Sequence, residues 1–266
     1  ENKYIIHFII LYIMSILIGN PYIDKNCSKK TKTSVYVKKR ILNDLKNAIQ
    51  SLGIKVIKID DNKECNLLWI RDLFFKIDNK TILCNNTNKG SLNIDRQNEN
   101  KYVIKYLKDY IELPKNIKVE GGDIIQNKNN IFIGINDRTN IAAYNHLKKL
   151  FPNKTFIKIN HSAIHLDNCL TIIDNTIFYS KTYIKSLPNY LRKNYNIVVI
   201  EDILGDVDPN LATNLLIINK NIITTDTPAF EPFRILLKLL DYNVITIKYN
   251  NLLEEGGGIR CLTQFM

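Results

Sequence analysis

One unit recurs along this chain of 266 residues at intervals close to 50, and that recurrence limits the fold more than any single motif. Each unit reads as an apolar strand, a turn of Asp, Asn and Lys, a second strand, an amphipathic helix and a closing strand. Later units begin near residues 67, 117, 164 and 213, and an earlier one begins near Met14. In that earliest unit Ile41, Leu45, Ala48 and Leu52 share one face of a helix expected over Val37–Leu52. Gly53 ends it, and Ile54–Ile59 returns as a strand. The second unit is expected to carry strands at Leu67–Ile70 and Asp72–Phe75 and a helix over Glu99–Ile111. The third is expected to begin with a strand at Ile117–Val119. A period of this size predicts a closed ring or a solenoid. A ring hides strand edges and gathers one loop from each unit around an axis. The expected architecture is α/β, a five-fold pseudosymmetric propeller of ββαβ units. No Pro/Gly/Ser-rich linker divides the chain, so residues 1–266 are read as one domain.

Hydrophobic residues make up 45% of the chain and charged residues 24%, which excludes a disordered or collagen-like chain. The net charge is 37 − 26 = +11, a balance that raises nucleic acid as a partner. The chain also holds 35 Asn and 44 Ile, with Asn/Lys loops such as Asn127–Asn130, which marks a general compositional lean. Its basic residues are scattered, apart from a run around Lys29, Lys30, Lys32, Lys38, Lys39 and Arg40, so no nucleic-acid partner is expected. The five cysteines, Cys27, Cys65, Cys84, Cys169 and Cys261, have neither disulfide-scaffold nor zinc spacing. That fits a reducing, cytoplasmic setting. Residues Tyr4–Ile18 form an apolar run of fifteen, short of the roughly 20 that span a bilayer. Its β-branched content favours a buried strand over a membrane segment. Lys3 ahead of it keeps a signal or anchor over residues 4–18 as the alternative, with secretion or anchoring in place of a cytoplasmic location.

Chemistry-bearing residues recur near the first strand of the units: Arg71–Asp72, Glu120–Gly121–Gly122–Asp123, His165–Leu166–Asp167 and Gly256–Gly257–Gly258–Ile259–Arg260–Cys261. A ring brings all four sets towards one axis. Cys261 after three glycines is either an inert loop thiol or a nucleophile, and His165 is either a core histidine or its proton-transfer partner. On a strand His165 and Asp167 would share a face. The two glycines of Glu120–Asp123 imply a tight turn, which either leaves both carboxylates in solvent or brings them to a substrate. Asp72, between Ile70 and Leu73, needs a partner, by default a nearby Arg or Lys. His146 and His161 show no pattern and are expected on the surface or at helix caps. Asp72, Glu120, Asp123 and Asp167 together make an acidic centre in a basic protein. No ligand spacing suits a metal, and no nucleotide fingerprint is present, so no metal or cofactor is expected. A guanidinium fits better, because carboxylates hold it through paired hydrogen bonds.

The ordered set R-D, E-G-G-D, R-T-N, H-x-D and G-G-G-x-x-C resembles the guanidino-group-modifying enzymes, the pentein superfamily. Its members include arginine deiminases, dimethylarginine dimethylaminohydrolases and amidinotransferases. The resemblance runs from about Met14 to the C-terminus. It implies a single catalytic domain with Cys261 as nucleophile, His165 as general acid and base, and Glu120 orienting the histidine. It implies Asp72 and Asp167 as a guanidinium clamp with Asp123 in support. Arg138, in Asp137–Asn140, is implied to bind a substrate α-carboxylate with Arg96 as partner, which favours an amino-acid substrate over agmatine. The implied reaction is hydrolysis of arginine or a methylarginine through a Cys thiouronium, giving citrulline and ammonia or an amine. The alternatives are amidino transfer to an acceptor amine and, in another class, a non-catalytic ribosome- or RNA-binding member. The compact length resembles the dimethylarginine hydrolases, whereas Asp167 and the Gly256–Cys261 stretch resemble the deiminases.

Overall fold

In strand after strand two neighbouring apolar residues are both buried, as in Phe74–Phe75, Ile124–Ile125 and Ile172–Ile173. Successive side chains of a strand point to opposite faces, so such pairs require sheets covered on both sides. A computed structural model, which describes residues 15–21, 33–60, 67–85, 96 and 99–266, meets this requirement with five three-stranded sheets.

One sheet follows from β3 (Phe74–Ile77), β4 (Lys80–Leu83), α2 (Asn100–Ile104) and β5 (Ile111–Glu112). The next holds β6 (Ile124–Asn127), β7 (Asn130–Ile135), α3 (Ile141–Leu150) and β8 (Thr155–Asn160). Then come β9 (Leu170–Ile173), β10 (Thr176–Tyr179), α4 (Asn189–Asn194) and β11 (Asn196–Val199), followed by α5 (Glu201–Leu204). The fourth unit is β12 (Leu216–Ile218), β13 (Asn221–Thr225), α6 (Glu231–Leu239) and β14 (Asn243–Ile247). Each is an antiparallel hairpin whose second strand pairs in parallel with a third strand beyond the helix. The hairpins turn through two residues, and Asp78, Lys128, Asp174 and Asn219 take φ between 51° and 54° there. Short Asp/Asn turns of this kind match the twist of the flanking strands.

The fifth sheet is assembled from both ends of the described chain. β1 (Ser15–Ile18) is followed by α1 (Val35–Ser51) and β2 (Lys55–Lys58), and β15 (Thr263–Phe265) supplies the missing first strand. β15 pairs antiparallel with β1, Ile16 opposite Phe265, and β1 pairs in parallel with β2. Five apolar clusters then fill the five junctions between neighbouring sheets. Leu17 and Phe74 belong to one, Phe75 and Ile124 to the next, Ile125 and Leu170 to the third, Ile173 and Ile222 to the fourth, and Leu216 and Ile16 to the fifth. This cycle returns to its start, so the sheets form a closed ring, the propeller that the repeat predicts.

Some expectations need correction. Leu67–Ile70 and Ile117–Val119 are not strands; the chain there runs buried into 3₁₀ turns at Ile70–Asp72 and Gly121–Asp123, and β3 and β6 begin after them. A short apolar run has the same period whether it packs as a strand or as a buried turn. Helix α2 covers five residues rather than Glu99–Ile111. Of the apolar run Tyr4–Ile18, residues 15–18 form β1 and the remainder lies outside the described residues. Among the described residues no helix is long and apolar enough to cross a membrane.

Leu45 on α1 is fully buried where the fifth sheet meets the fourth unit. Leu45→Ala is expected to cost about 2–5 kcal/mol in chemical denaturation. Tyr36→Ala on the same helix, at a site 77% exposed, is expected to stay within about 0.5 kcal/mol.

Candidate active site

A turn precedes the inner strand of each unit, and these turns carry the motifs. Ile70–Asp72, Gly121–Asp123, Leu166–Asn168 and Arg260–Leu262 lead into β3, β6, β9 and β15. Residues 213–215 lead into β12 in the same way. Ring closure brings the turns together at one end of the axis. There Trp69, Asp72, Arg96, Arg138, His165 and Cys261 line one cavity with about 310 Å³ of open space. Cys261 and His165, 96 positions apart in sequence, therefore face a common space.

His165 is 3% exposed and lies between two carboxylates. Its Nε2 is 2.6 Å from Glu120 Oε2, and its Nδ1 is 3.5 Å from Asp72 Oδ1. Burial favours the neutral ring, but Asp72 and Glu120 outweigh it and push the imidazole up to about 10. Burial likewise opposes ionisation of Glu120. The hydrogen bond from His165 and the charges of His165, Arg96 and Arg138 overcome it and hold the carboxyl well below its usual range. Both shifts favour an imidazolium beside a carboxylate. Gly122 makes the arrangement possible, because a Cβ there would sit 2.7 Å from His165 Cγ. The glycine requirement of this motif comes from that close approach. Gly121 and Gly122 are not among the residues with positive φ.

The partner of Asp72 is Arg96 rather than the adjacent Arg71. Arg96 donates to Asp72 Oδ2 at 2.7 Å, to Glu99 Oε2 at 2.8 Å and to the Trp69 carbonyl at 3.3 Å. Those bonds occupy the guanidinium that the resemblance pairs with Arg138 on a substrate carboxylate. Arg138 also reaches Glu120 Oε2 at 3.1 Å, but its side chain keeps 16% exposure and lies on the cavity wall. Two buried acceptors stay open beside the imidazolium: Asp72 Oδ1 and Glu120 Oε1 have no hydrogen-bond donor. Donor atoms of Asp72, Glu120 and His165 lie within 4.8 Å of one another, a spacing that could suit a metal ion. The Arg96 guanidinium and the imidazolium already supply positive charge at those oxygens, so the donor set fits poorly with a further metal cation.

Cys261 is 4% exposed in the 3₁₀ turn Arg260–Leu262 that leads into β15. Burial and the charges of Asp167 and Asp72 push its thiol well above the usual range, while a Gly258 backbone N–H and the Asn214 amide pull the other way. Asn214 is the residue that sequence reading missed. Its Nδ2 donates to Cys261 Sγ at 3.2 Å, to Asp167 Oδ1 at 3.2 Å and to Asn168 Oδ1 at 3.1 Å. Its Oδ1 accepts the backbone N–H of Arg260 at 2.8 Å. The signal was positional: Asn214 occupies in the remaining unit the turn that carries Asp72, His165 and Cys261 in others.

Asp167 and Asp123 take different places from those implied for a substrate clamp, since neither is on the cavity wall. Asp167 is 1% exposed, held by Asn214 and 3.2 Å from Arg260 Nε, and burial raises its carboxyl to about 6. It follows His165 in a 3₁₀ turn, so the strand geometry expected for the two does not occur. Asp123 is fully buried and accepts from Thr139 Oγ1 at 2.6 Å and the Leu166 N–H at 2.8 Å. It thereby ties the Glu120 and His165 turns together. His161, expected at the surface, completes this joint: its Nε2 is 3.0 Å from Asp123 Oδ1 and its side chain is buried. His161 lies at the end of a strand whose neighbours alternate without revealing which residue meets it.

Comparison with known proteins finds similar sequences and folds. The family model of arginine deiminase matches residues 97–201. The Bacillus subtilis protein YkgA is 29% identical over 149 residues, 54% of this chain and 51% of that protein. The arginine deiminase of Borreliella afzelii is 33% identical over 167 residues, 53% of this chain and 39% of that protein. The chain thus spans about half or less of the length of these curated relatives. In fold, the dimethylarginine dimethylaminohydrolase of Pseudomonas aeruginosa superposes with a TM-score of 0.78 at 15% identity, covering 96% of this chain and all of that one. The N-terminal domain of the cyanobacterial arginine dihydrolase ArgZ superposes with a TM-score of 0.77 at 17% identity, covering 95% and 97%. The chain has the pentein fold of the guanidino-group-modifying enzymes.

Asn214→Leu removes the donor to the thiol while keeping the volume. The half-point of iodoacetamide labelling at Cys261 is expected to rise by about one pH unit. His165, raised in the folded state from 6.5 to about 10, contributes stability that is fully present below pH 6.5 and lost as pH rises through about 10. Denaturation midpoints of the protein should fall across that window, and those of His165→Gln should fall less.

Proposed function

We propose that this protein hydrolyses the guanidinium group of arginine or a close derivative, giving citrulline and ammonia or an amine. The observation that carries this reading is Asp72 Oδ1, a carboxylate oxygen without a donor, on a cavity wall shared with His165 and Cys261. A planar N–H donor of a guanidinium satisfies that oxygen. The match of residues 97–201 to the arginine deiminase family supports the same substrate class.

In the free protein the thiol is held protonated by burial and by two carboxylates. A guanidinium entering beside Asp72 brings positive charge to the sulfur, and the thiol proton passes to water. The Cys261 thiolate adds to the guanidinium carbon. The tetrahedral intermediate collapses as the His165 imidazolium gives its proton to the departing nitrogen, which leaves as ammonia or an amine. A thiouronium on Cys261 remains, and His165 is now neutral. It takes a proton from water as the oxygen adds to the same carbon. Collapse of this second intermediate breaks the C–S bond, the hydroxyl proton passes to the departing sulfur to restore the thiol, and the ureido product is released. Glu120 holds the ring throughout and stabilises its charged form. Arg138, on the cavity wall, takes the α-carboxylate, while Arg96 fixes Asp72.

Incubation with arginine, monomethylarginine, dimethylarginine and agmatine, with and without glycine, tests this reading. Citrulline from arginine or a methylarginine is expected, and Cys261→Ser should lower kcat by at least about 10³-fold. Guanidinoacetate in place of citrulline when glycine is present would instead make the protein an amidinotransferase. Arg138→Ala should raise KM for arginine at least tenfold and change agmatine turnover little.

A further inference from the structure

A second cavity runs along the axis of the ring, with about 1050 Å³ of open space. Its wall includes residues of β3, β6, β9, β12 and β15, the inner strand of every sheet. Each of these strands is paired on one side only, so its other edge turns backbone N–H and C=O groups to the axis. The polar side chains on the wall are Arg71, Lys76, Gln126, Thr171, Arg260 and Gln264. Three are cations, and no carboxylate lies on this wall. Neither Arg71 nor Arg260 lines the cavity that holds Cys261.

Arg71 sets this pore apart. It is 4% exposed, as are Arg234 and, at 2%, Arg96 among the buried arginines. Arg96 pairs with Asp72 and Glu99, and Arg234 pairs with Glu231. Among the described residues Arg71 has no ion pair. Its NH1 donates to Gln264 Oε1 at 2.6 Å and its Nε reaches the Arg260 carbonyl at 3.5 Å, which fix the group in place. Its NH2 has no acceptor, and neither does Arg260 Nε, which lies 3.2 Å from Asp167 without hydrogen-bond geometry. Burial and the like charge of Arg260 work against the charge on Arg71, and the nearby Asp167, Cys261 and Asp72 offset only part of that. A buried guanidinium beside a second one is stabilised by an anion that accepts from both.

We propose that the axial pore binds a small inorganic oxyanion, of the phosphate or sulfate kind, between Arg71 and Arg260. Arg71 NH2, the nitrogen left without an acceptor, donates to one oxygen of such an ion, and Arg260 Nε donates to another. Lys76, exposed on the pore wall, draws the ion in from solvent. The site is separate from the guanidinium-binding cavity and stands whether or not the chain hydrolyses arginine.

Titration calorimetry and thermal melts with inorganic phosphate, against chloride at matched ionic strength, test the proposal. One saturable phosphate site is expected, with a rise in Tm that chloride does not reproduce. Arg71→Gln should weaken phosphate at least tenfold, and Lys76→Glu at the solvent-exposed wall about threefold or more. Arg138→Ala, which alters the other cavity, should bind phosphate as the unaltered protein does. If Arg71→Gln does not fold, Lys76→Glu decides. The proposal is overturned by absence of saturable binding, by unchanged affinity in both pore variants, or by loss of binding in Arg138→Ala.

Discussion

The pairing of β15 with β1 is the contact on which the rest of the molecule depends. Three residue pairs, from Ile16–Phe265 to Ile18–Thr263, join the two ends of the described chain. They convert a linear array of sheets into a ring, so that the apolar face of each sheet meets a neighbour on both sides. The same pairing carries Cys261, directly ahead of β15, to the axis where the turns of the other units already converge. Stability and site assembly therefore share one interaction. A ring that opened at this seam would expose the Ile16–Leu216 junction and withdraw the thiol from the imidazole together.

The site is held in a state of electrostatic tension. A basic protein concentrates Asp72, Glu120, Asp123 and Asp167 at its centre, and each is nearly or fully buried. Internal cations lie against three of them: Arg96 on Asp72, His165 on Glu120, Arg260 beside Asp167. The balance favours the neutral thiol and the charged imidazole.

The ββαβ repeat, the hairpin turns and the residues of the turns at the cavity were legible because each is a local matter. Asp78–Asn79 turns a hairpin by its own backbone preferences, and helix α1 shows its buried stripe in its own spacing. Asn214, His161 and the partner of Asp72 were not legible. Each owes its role to a residue between 24 and 47 positions away, at Arg96, Asp123 or Cys261, and no local pattern records such a meeting. Gly122 belongs to the same class, since its lack of a side chain is explained by the ring of His165 pressing on it.

The sequence by itself determined the repeating unit, the sites of its turns and the kinds of groups carried there, because side-chain period and turn chemistry act over a few residues. Tertiary structure alone decided which carboxylates face the cavity and which are locked into the scaffold. Asp72 reaches open space, whereas Asp167 and Asp123 are taken up by Asn214, Arg260, Thr139 and His161. That division depends on distances across the ring, and a chain acquires those distances only when its ends meet.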